Sequence, residues 1–327
     1  MTTTTEPEPS PALSVVIVTD ALETIARTLG KLRAQTVADR IELVLVTDDP
    51  DRLDAGRAEL EAFWGTQVIG VGDIMPLAWS REPGIRAASA PVVALAESHS
   101  FHEPRWAEAL LEAHRGPWTA VGPAVTNANP AHAVSWANLF LDYGPWLEPE
   151  VSREMTDLPG HNSSYKRSSL IGYGPELRGL LEAETLLHAD LRARGKRLWM
   201  ESGARMSHLN VTRPSSWLRE RIDAGRYFAS LRAAGWSRPR RLAYAAGSPL
   251  IPVLRAIRTV PVWRRCRKHH RLPRGLGPAL LVSLSASAFG EFLGYALGGG
   301  QTMMRLAGME LKREEHLRPR SRPIGAD

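Results

Sequence analysis

The sequence predicts an α/β protein in which a mostly parallel sheet flanked by helices is followed by a helical, basic C-terminal region. Three observations predict it. Short β-branched runs alternate with stretches of helical apolar spacing, joined by short connections, as in a parallel sheet covered by helices on both faces. The runs end on polar residues, Thr19-Asp20, Asp48-Asp49 and Glu97-Ser98-His99. The charge changes sign near residue 213: residues 213–327 carry 22 Lys and Arg against 7 Asp and Glu, while residues 1–212 carry 19 against 28.

The elements follow in order. Residues 1–11, rich in Thr, Pro and Glu, have no basic start or apolar core and are expected to form a disordered tail (1–12) rather than a signal peptide. Ser14–Thr19 (SVVIVT) is a buried strand, and Ala21–Gln35 a helix with Leu22, Ile25, Leu29 and Leu32 on one face. Ile41–Thr47 is a second strand, Arg52–Phe63 a helix, Gln67–Val71 a strand and Leu77–Ala88 a helix. Val92–Leu95 leads to Glu97, Pro104–His114 is a helix with proline in its first turn, and Trp118–Gly122 is another strand. No glycine-rich loop follows the first strand, which argues against dinucleotide-binding and P-loop folds. From about residue 125 the alternation breaks. The segment Pro159–Arg167 is dense in hydrogen-bonding groups, Leu177–Gly195 is expected to be one helix, and Leu198–Glu201 and Ala204–Leu209 two short strands.

In an α/β sheet, ligands bind beyond the C-terminal ends of the strands. Glu97 and His99 are two apart, so an extended chain points both the same way. They suit a divalent metal that would hold a diphosphate, or alternatively a polar loop behind a buried strand. The single cysteine, Cys266, excludes an internal disulfide framework and suits a reducing cytoplasm.

In order and spacing, these residues resemble family 2 glycosyltransferases of the GT-A fold over Ser14 to about Asn210 (domain 13–212). Ser14–Thr19 matches the opening strand that supports the nucleoside, Ile41–Asp49 the second strand with its base-contacting acid, Asp48, and Arg81–Gly84 an Arg-Asn-x-Gly-like turn with Glu82 in place of Asn. Glu97-Ser98-His99 falls where the family has Asp-x-Asp before a Trp, here Trp106, and departs from it at both acidic positions. His161, Asn162 and Arg167 fall in the sugar-binding loop. Glu184 falls at the catalytic base, eleven residues before Gly195, with Ala183 replacing the usual preceding Glu, and His208 at the late metal-binding His.

The resemblance implies inverting transfer of a sugar from a nucleotide-diphosphate-sugar, with nucleotide contacts from Thr19, Asp48 and Arg81. Mn or Mg would sit on Glu97, His99 and His208, a metal-free site being the alternative. Glu184 is the expected base, with Glu182 as competitor; its bland alternative is an acid favoured by a helix dipole. A catalytically silent nucleotide-sugar-binding or scaffold protein and a nucleotidyltransferase are the competing readings.

Residues 213–327 alternate basic clusters, such as Arg264–Arg271, with apolar runs, and Leu276–Gly300 carries a single charge, Glu291. This pattern suggests peripheral or monotopic association with an anionic membrane surface on the cytoplasmic side. The acceptor would then be lipid-linked or a cell-envelope glycan. No nucleic-acid-binding motif accompanies the charge.

Overall fold

A computed structural model describes residues 10–56, 60–147, 151–182 and 184–319. The expected tail lies almost wholly outside them.

Four parallel strands form one half of a nine-stranded sheet: β1 (Leu13–Val18), β2 (Ile41–Thr47), β3 (Gly65–Gly70) and β4 (Val92–Leu95), in the order β3-β2-β1-β4. Alternation within β1 explains its double burial. Leu13, Val15 and Ile17 face α1 (Leu22–Arg33), whereas Val16 and Val18 face α2 (Leu77–Ala87). Gly84 lets α2 approach closely, since a Cβ there would lie 2.6 Å from Val16 and 2.8 Å from Val46. Of the helix expected over Arg52–Phe63, the described residues show a 3₁₀ segment at Pro50–Gly56 and a helical Leu60, and residues 57–59 lie outside them.

The second half of the sheet is mixed. It contains β5 (Ser100–His102), β6 (Trp118–Asn127), β7 (Arg153–Met155), β8 (Ser164–Lys166) and β9 (Arg197–His208). Strand β8 runs antiparallel to both β4 and β6, while β6 and β9 are parallel. The sheet as a whole is therefore mixed rather than mostly parallel. The two strands expected within 198–209 are one, β9, whose register against β6 shifts between Pro123 and Ala124, so the apparent break is a bulge. α3 (Trp106–His114) and α4 (Ala133–Tyr143) cover this half.

A short helix, α5 (Arg167–Ile171), follows β8. The helix expected over Leu177–Gly195 is broken into α6 (Leu177–Leu180) and α7 (Glu184–Ala193), which puts Glu184 at the start of α7.

Among the described residues five α-helices follow: α8 (Pro214–Arg232), α9 (Arg238–Gly247), α10 (Ile251–Cys266), α11 (Leu276–Leu297) and α12 (Thr302–Leu311). α8 and α11 pack backbone to backbone. A Cβ on Gly225, Gly290 or Gly294 would fall 2.1–2.3 Å from a carbonyl oxygen of the facing helix. Glu291 is buried and paired with Arg255. Cys266 is buried beneath α4 and α11.

Candidate active site

Two clusters meet at the C-terminal ends of the strands. The first follows β4. Glu97 and His99 are buried, and β5 pairs antiparallel with the end of β9, setting Ser100 opposite His208. His208 is thereby carried against His99, with Nε2···Nε2 at 3.0 Å. Glu97 Oε2 lies 3.9 Å from Nε2 of His99 and 3.6 Å from Nε2 of His208. The same oxygen accepts hydrogen bonds from Asn162 Nδ2 (2.6 Å), Tyr143 OH (3.2 Å) and Ser100 Oγ (3.3 Å). Burial is the largest influence and opposes its ionisation, but His99, with His208 and His161, more than offsets it and holds the carboxyl at about 2. Burial pushes His208 down to about 4, so its ring is neutral near pH 7. His208 Nδ1–H donates to Asn210 Oδ1 at 2.9 Å, which leaves a lone pair on Nε2 facing Glu97 and His99.

This donor set fits a divalent cation. Glu97, His99 and His208 each present one ligand atom, all within 4.8 Å of one another. Two imidazole nitrogens 3.0 Å apart match neighbouring ligands about 2.1 Å from one ion and at about a right angle to each other. Mixed imidazole and carboxylate suit Mn²⁺ better than Mg²⁺.

The second cluster surrounds Glu184 at the start of α7. Its Oε1 lies 2.5 Å from His161 Nδ1 and 3.2 Å from Arg81 Nη1. Arg81 comes from α2, and His161 from the 3₁₀ turn Gly160–Asn162. Gly160 permits the approach, because a Cβ there would lie 2.2 Å from that of Glu184. Burial raises the Glu184 pKa, but His161 and then Arg81 more than offset it, and the net shift is downward. Burial lowers that of His161, Glu184 raises it, and the net shift is upward. The pair is therefore an ionised carboxylate beside an imidazolium-favouring ring.

Both clusters line one cavity of about 470 Å³, which includes Glu97, His208, Arg81, His161, Glu182 and Glu184. Glu182 accepts from Trp79 Nε1. Asn162 enters the site through Glu97, not through the cavity wall. Thr19 is buried and donates to Ala21 O at 2.7 Å, shaping the turn after β1. Asp48 ends β2 beside Thr47 Oγ1. Arg167 stands apart from both clusters. Its Nη2 donates to Arg86 O at 2.8 Å, and its backbone N–H to Pro91 O, at the opposite end of β4 from Glu97. It pins the start of β4 because it directly follows β8, whose antiparallel course carries it away from the strand ends. Trp146 lines the cavity, whereas Trp136 is core, donating to Pro130 O.

Sequence reasoning missed Tyr143, Asn210, Glu220, Arg221, Glu310 and Arg313. All but Asn210 are acids, a phenol or bases inside helices or turns with no motif around them. Asn210 carried a signal, two residues after His208 on a strand end.

The glycosyl transferase family 2 model matches residues 14–174. That segment is a family 2 glycosyltransferase domain. Glu184 and His208 lie beyond the matched segment, so the chain following the domain's match completes the site. A mannosyltransferase from Pyrobaculum calidifontis, PcManGT, solved with GDP-Man and Mn²⁺, is similar over 95% of this chain and 90% of its own, at TM-score 0.50 and 14% identity. This likeness shows the GT-A fold. GalNAc-T7 solved with UDP, GalNAc and Mn²⁺ is similar over 62% of this chain and 44% of its own (TM-score 0.45, 15% identity), so this chain spans less than half of that relative. S. aureus TarS residues 1–349 are similar over 67% of this chain and 64% of that one (TM-score 0.44, 16% identity). No curated protein matches the sequence.

Proposed function

We propose that the protein is an inverting glycosyltransferase that moves a sugar from a nucleotide-diphosphate-sugar to a lipid-linked or cell-envelope glycan acceptor at the cytoplasmic face of a membrane. One observation carries the transfer chemistry: an ionised carboxylate, Glu184, shares a cavity with the strand-end cluster of Glu97 and His208.

The acceptor hydroxyl attacks the anomeric carbon from the side opposite the diphosphate. A new C–O bond forms as the bond to the diphosphate oxygen breaks, with its electron pair leaving on the diphosphate. Glu184 takes the hydroxyl proton. Arg81 and His161 fix the orientation of that carboxylate and keep it ionised between turnovers. Asn162 and Tyr143 play the corresponding part for Glu97. Glu97, His99 and His208 would hold the divalent metal, whose chemistry when bound is to offset charge on the departing diphosphate. Thr19, Asp48 and Arg81 are assigned to the nucleotide side, and His161 with Asn162 to the donor and acceptor loop. GDP-Man and Mn²⁺ in PcManGT make a GDP-sugar with Mn²⁺ the first donor to try.

The membrane assignment rests on the C-terminal helices. Leu250, just before α10, and Val253, Leu254 and Ile257 on it are exposed at helical spacing, as are Leu281, Val282, Phe289 and Phe292 on α11. Exposed Arg258, Arg264, Arg267, Lys268, Arg271 and Arg274 accompany them. Apolar faces rimmed by arginine fit a monotopic seat on anionic lipid. α11 is long and apolar enough to cross a bilayer, but 56% of its most apolar window is buried within the protein, and its glycines already serve α8.

The test is a thermal-shift and turnover screen of detergent-purified protein against UDP-, GDP- and dTDP-sugars with and without Mn²⁺. One nucleotide class is expected to raise the melting temperature and to release nucleoside diphosphate when an acceptor is supplied. Binding without release across acceptors would favour a silent nucleotide-sugar-binding protein. No shift with any nucleotide would overturn the proposal.

A further inference from the structure

We infer that Glu310, on the last turn of α12, is a fourth residue of the cation site. The inference rests on the proposal that Glu97, His99 and His208 hold a divalent metal. It extends that site to a helix 136 residues beyond the end of the matched domain.

Glu310 Oε2 lies 3.2 Å from His99 Nε2, the atom that also faces His208 Nε2 at 3.0 Å and Glu97 Oε2 at 3.9 Å. A ring nitrogen carries at most one proton, and one proton cannot serve a second imidazole and two carboxylates together. Glu310 Oε2 is itself shut off from solvent and faces His99 Nε2, the nitrogen already shared with His208 and Glu97. An enclosed carboxylate oxygen that must share one ring proton is poorly satisfied, and a cation held by the whole cluster removes that cost. The space beside these groups is the right size. A cavity of about 20 Å³ borders Glu97, Ser98, His99 and Glu310, with Val18, Leu77, Arg81, Ala96 and Leu311 completing its walls, while His208 opens onto the larger cavity beside it. That is room for one water-sized occupant.

The placement of Glu310 is built, not incidental. Its other oxygen accepts from Arg313, which is buried and also donates to Glu220 on α8. The next two residues add anchors: Leu311 packs against the core cluster of Val18 and Val46, and Lys312 pairs with Asp20 after β1. Glu310 is thus delivered to His99 by a segment fastened to two other elements. A metal held partly by Glu310 would tie α12 to the strand ends.

The experiment is binding of Mn²⁺ alone to the full chain, without nucleotide, followed by electron paramagnetic resonance and by hydrogen exchange of α12. Wild type, E310Q, E310D and E314Q are compared, with melting curves to confirm folding. Glu314 is an exposed acid one turn away and serves as the control. E310Q is expected to bind Mn²⁺ at least about tenfold more weakly. E310D should recover part of the loss, and E314Q should match wild type. Mn²⁺ should slow amide exchange across 302–311 in wild type and not in E310Q. Equal Mn²⁺ affinity in wild type and E310Q, with α12 exchange indifferent to Mn²⁺ in both, would overturn the role of Glu310 while leaving the three-residue site standing. Absence of Mn²⁺ binding in wild type itself would overturn both.

Discussion

Single residues decide the chemistry of this site through the company they keep. Glu184 is proposed as the base because it is ionised, and it is ionised because His161 and Arg81 outweigh its burial. The shifts fix a pH dependence. Glu184 is lowered, so its contribution to stability is present above its unfolded pKa of about 4.3 and is lost as pH falls through the lower folded value. His161 is raised, so its contribution is present below its unfolded pKa of about 6.5 and is lost as pH rises through the higher folded value. The pair therefore stabilises most between about pH 4.3 and 6.5. Melting temperatures of wild type and H161Q against pH should differ most in that window and converge toward alkaline pH; a difference that grew above pH 8 would contradict the pairing. Much of this was legible in the sequence. Glu97, His99, His208, Asn162 and Glu184 stand out because strand ends and a polar loop announce them. Arg167 was misleading for the same reason: it lies in the polar run, but the three residues of antiparallel β8 carry it to the opposite end of β4.

At the level of elements, alternation along β1 and β2 was legible because both faces are buried and period two leaves a clear trace. The breaks were not. Between α6 and α7, leucines run on at helical spacing through the interruption, so periodicity alone suggested one helix over 177–195. The division between β9's halves was a bulge, which a strand pattern cannot distinguish from a turn. The glycines of α8 and α11 carry a sharper lesson. In sequence they weaken a candidate membrane span, whereas in the structure they let two backbones touch. Gly290 faces Ile222 O, and backbone cannot yield as a flexible side chain can. G290A is expected to cost about 1–3 kcal/mol and lower the melting temperature. By contrast G179A, at a position with nothing within 4 Å, should be near neutral. Equal melting temperatures for G290A and wild type would contradict the close packing of α8 on α11.

For the whole molecule, the change of charge near residue 213 marks a change of task. The chain up to about residue 212 contributes the strand-end acids and imidazoles, and the basic third contributes walls, the Glu220–Arg313 network and an exposed apolar face. That the C-terminal helices return to the strand ends was not legible, because nothing in MMRLAGMELKR distinguishes a site residue from a solvated helix. The exposed faces of α10 and α11 predict a surface preference. The protein should sediment with vesicles containing phosphatidylglycerol and much less with neutral vesicles, and I257E with V253E should abolish the difference. Recovery of all protein in the supernatant at low salt would contradict membrane seating without touching the catalytic account. That account is tested most directly by turnover of E184Q. With the donor identified by thermal shift, E184Q should keep donor binding within a few-fold while kcat falls by about 10²–10⁴, and E182Q should stay near wild type. Near-normal kcat in E184Q, or its loss in E182Q instead, would contradict the assignment of Glu184 as the base.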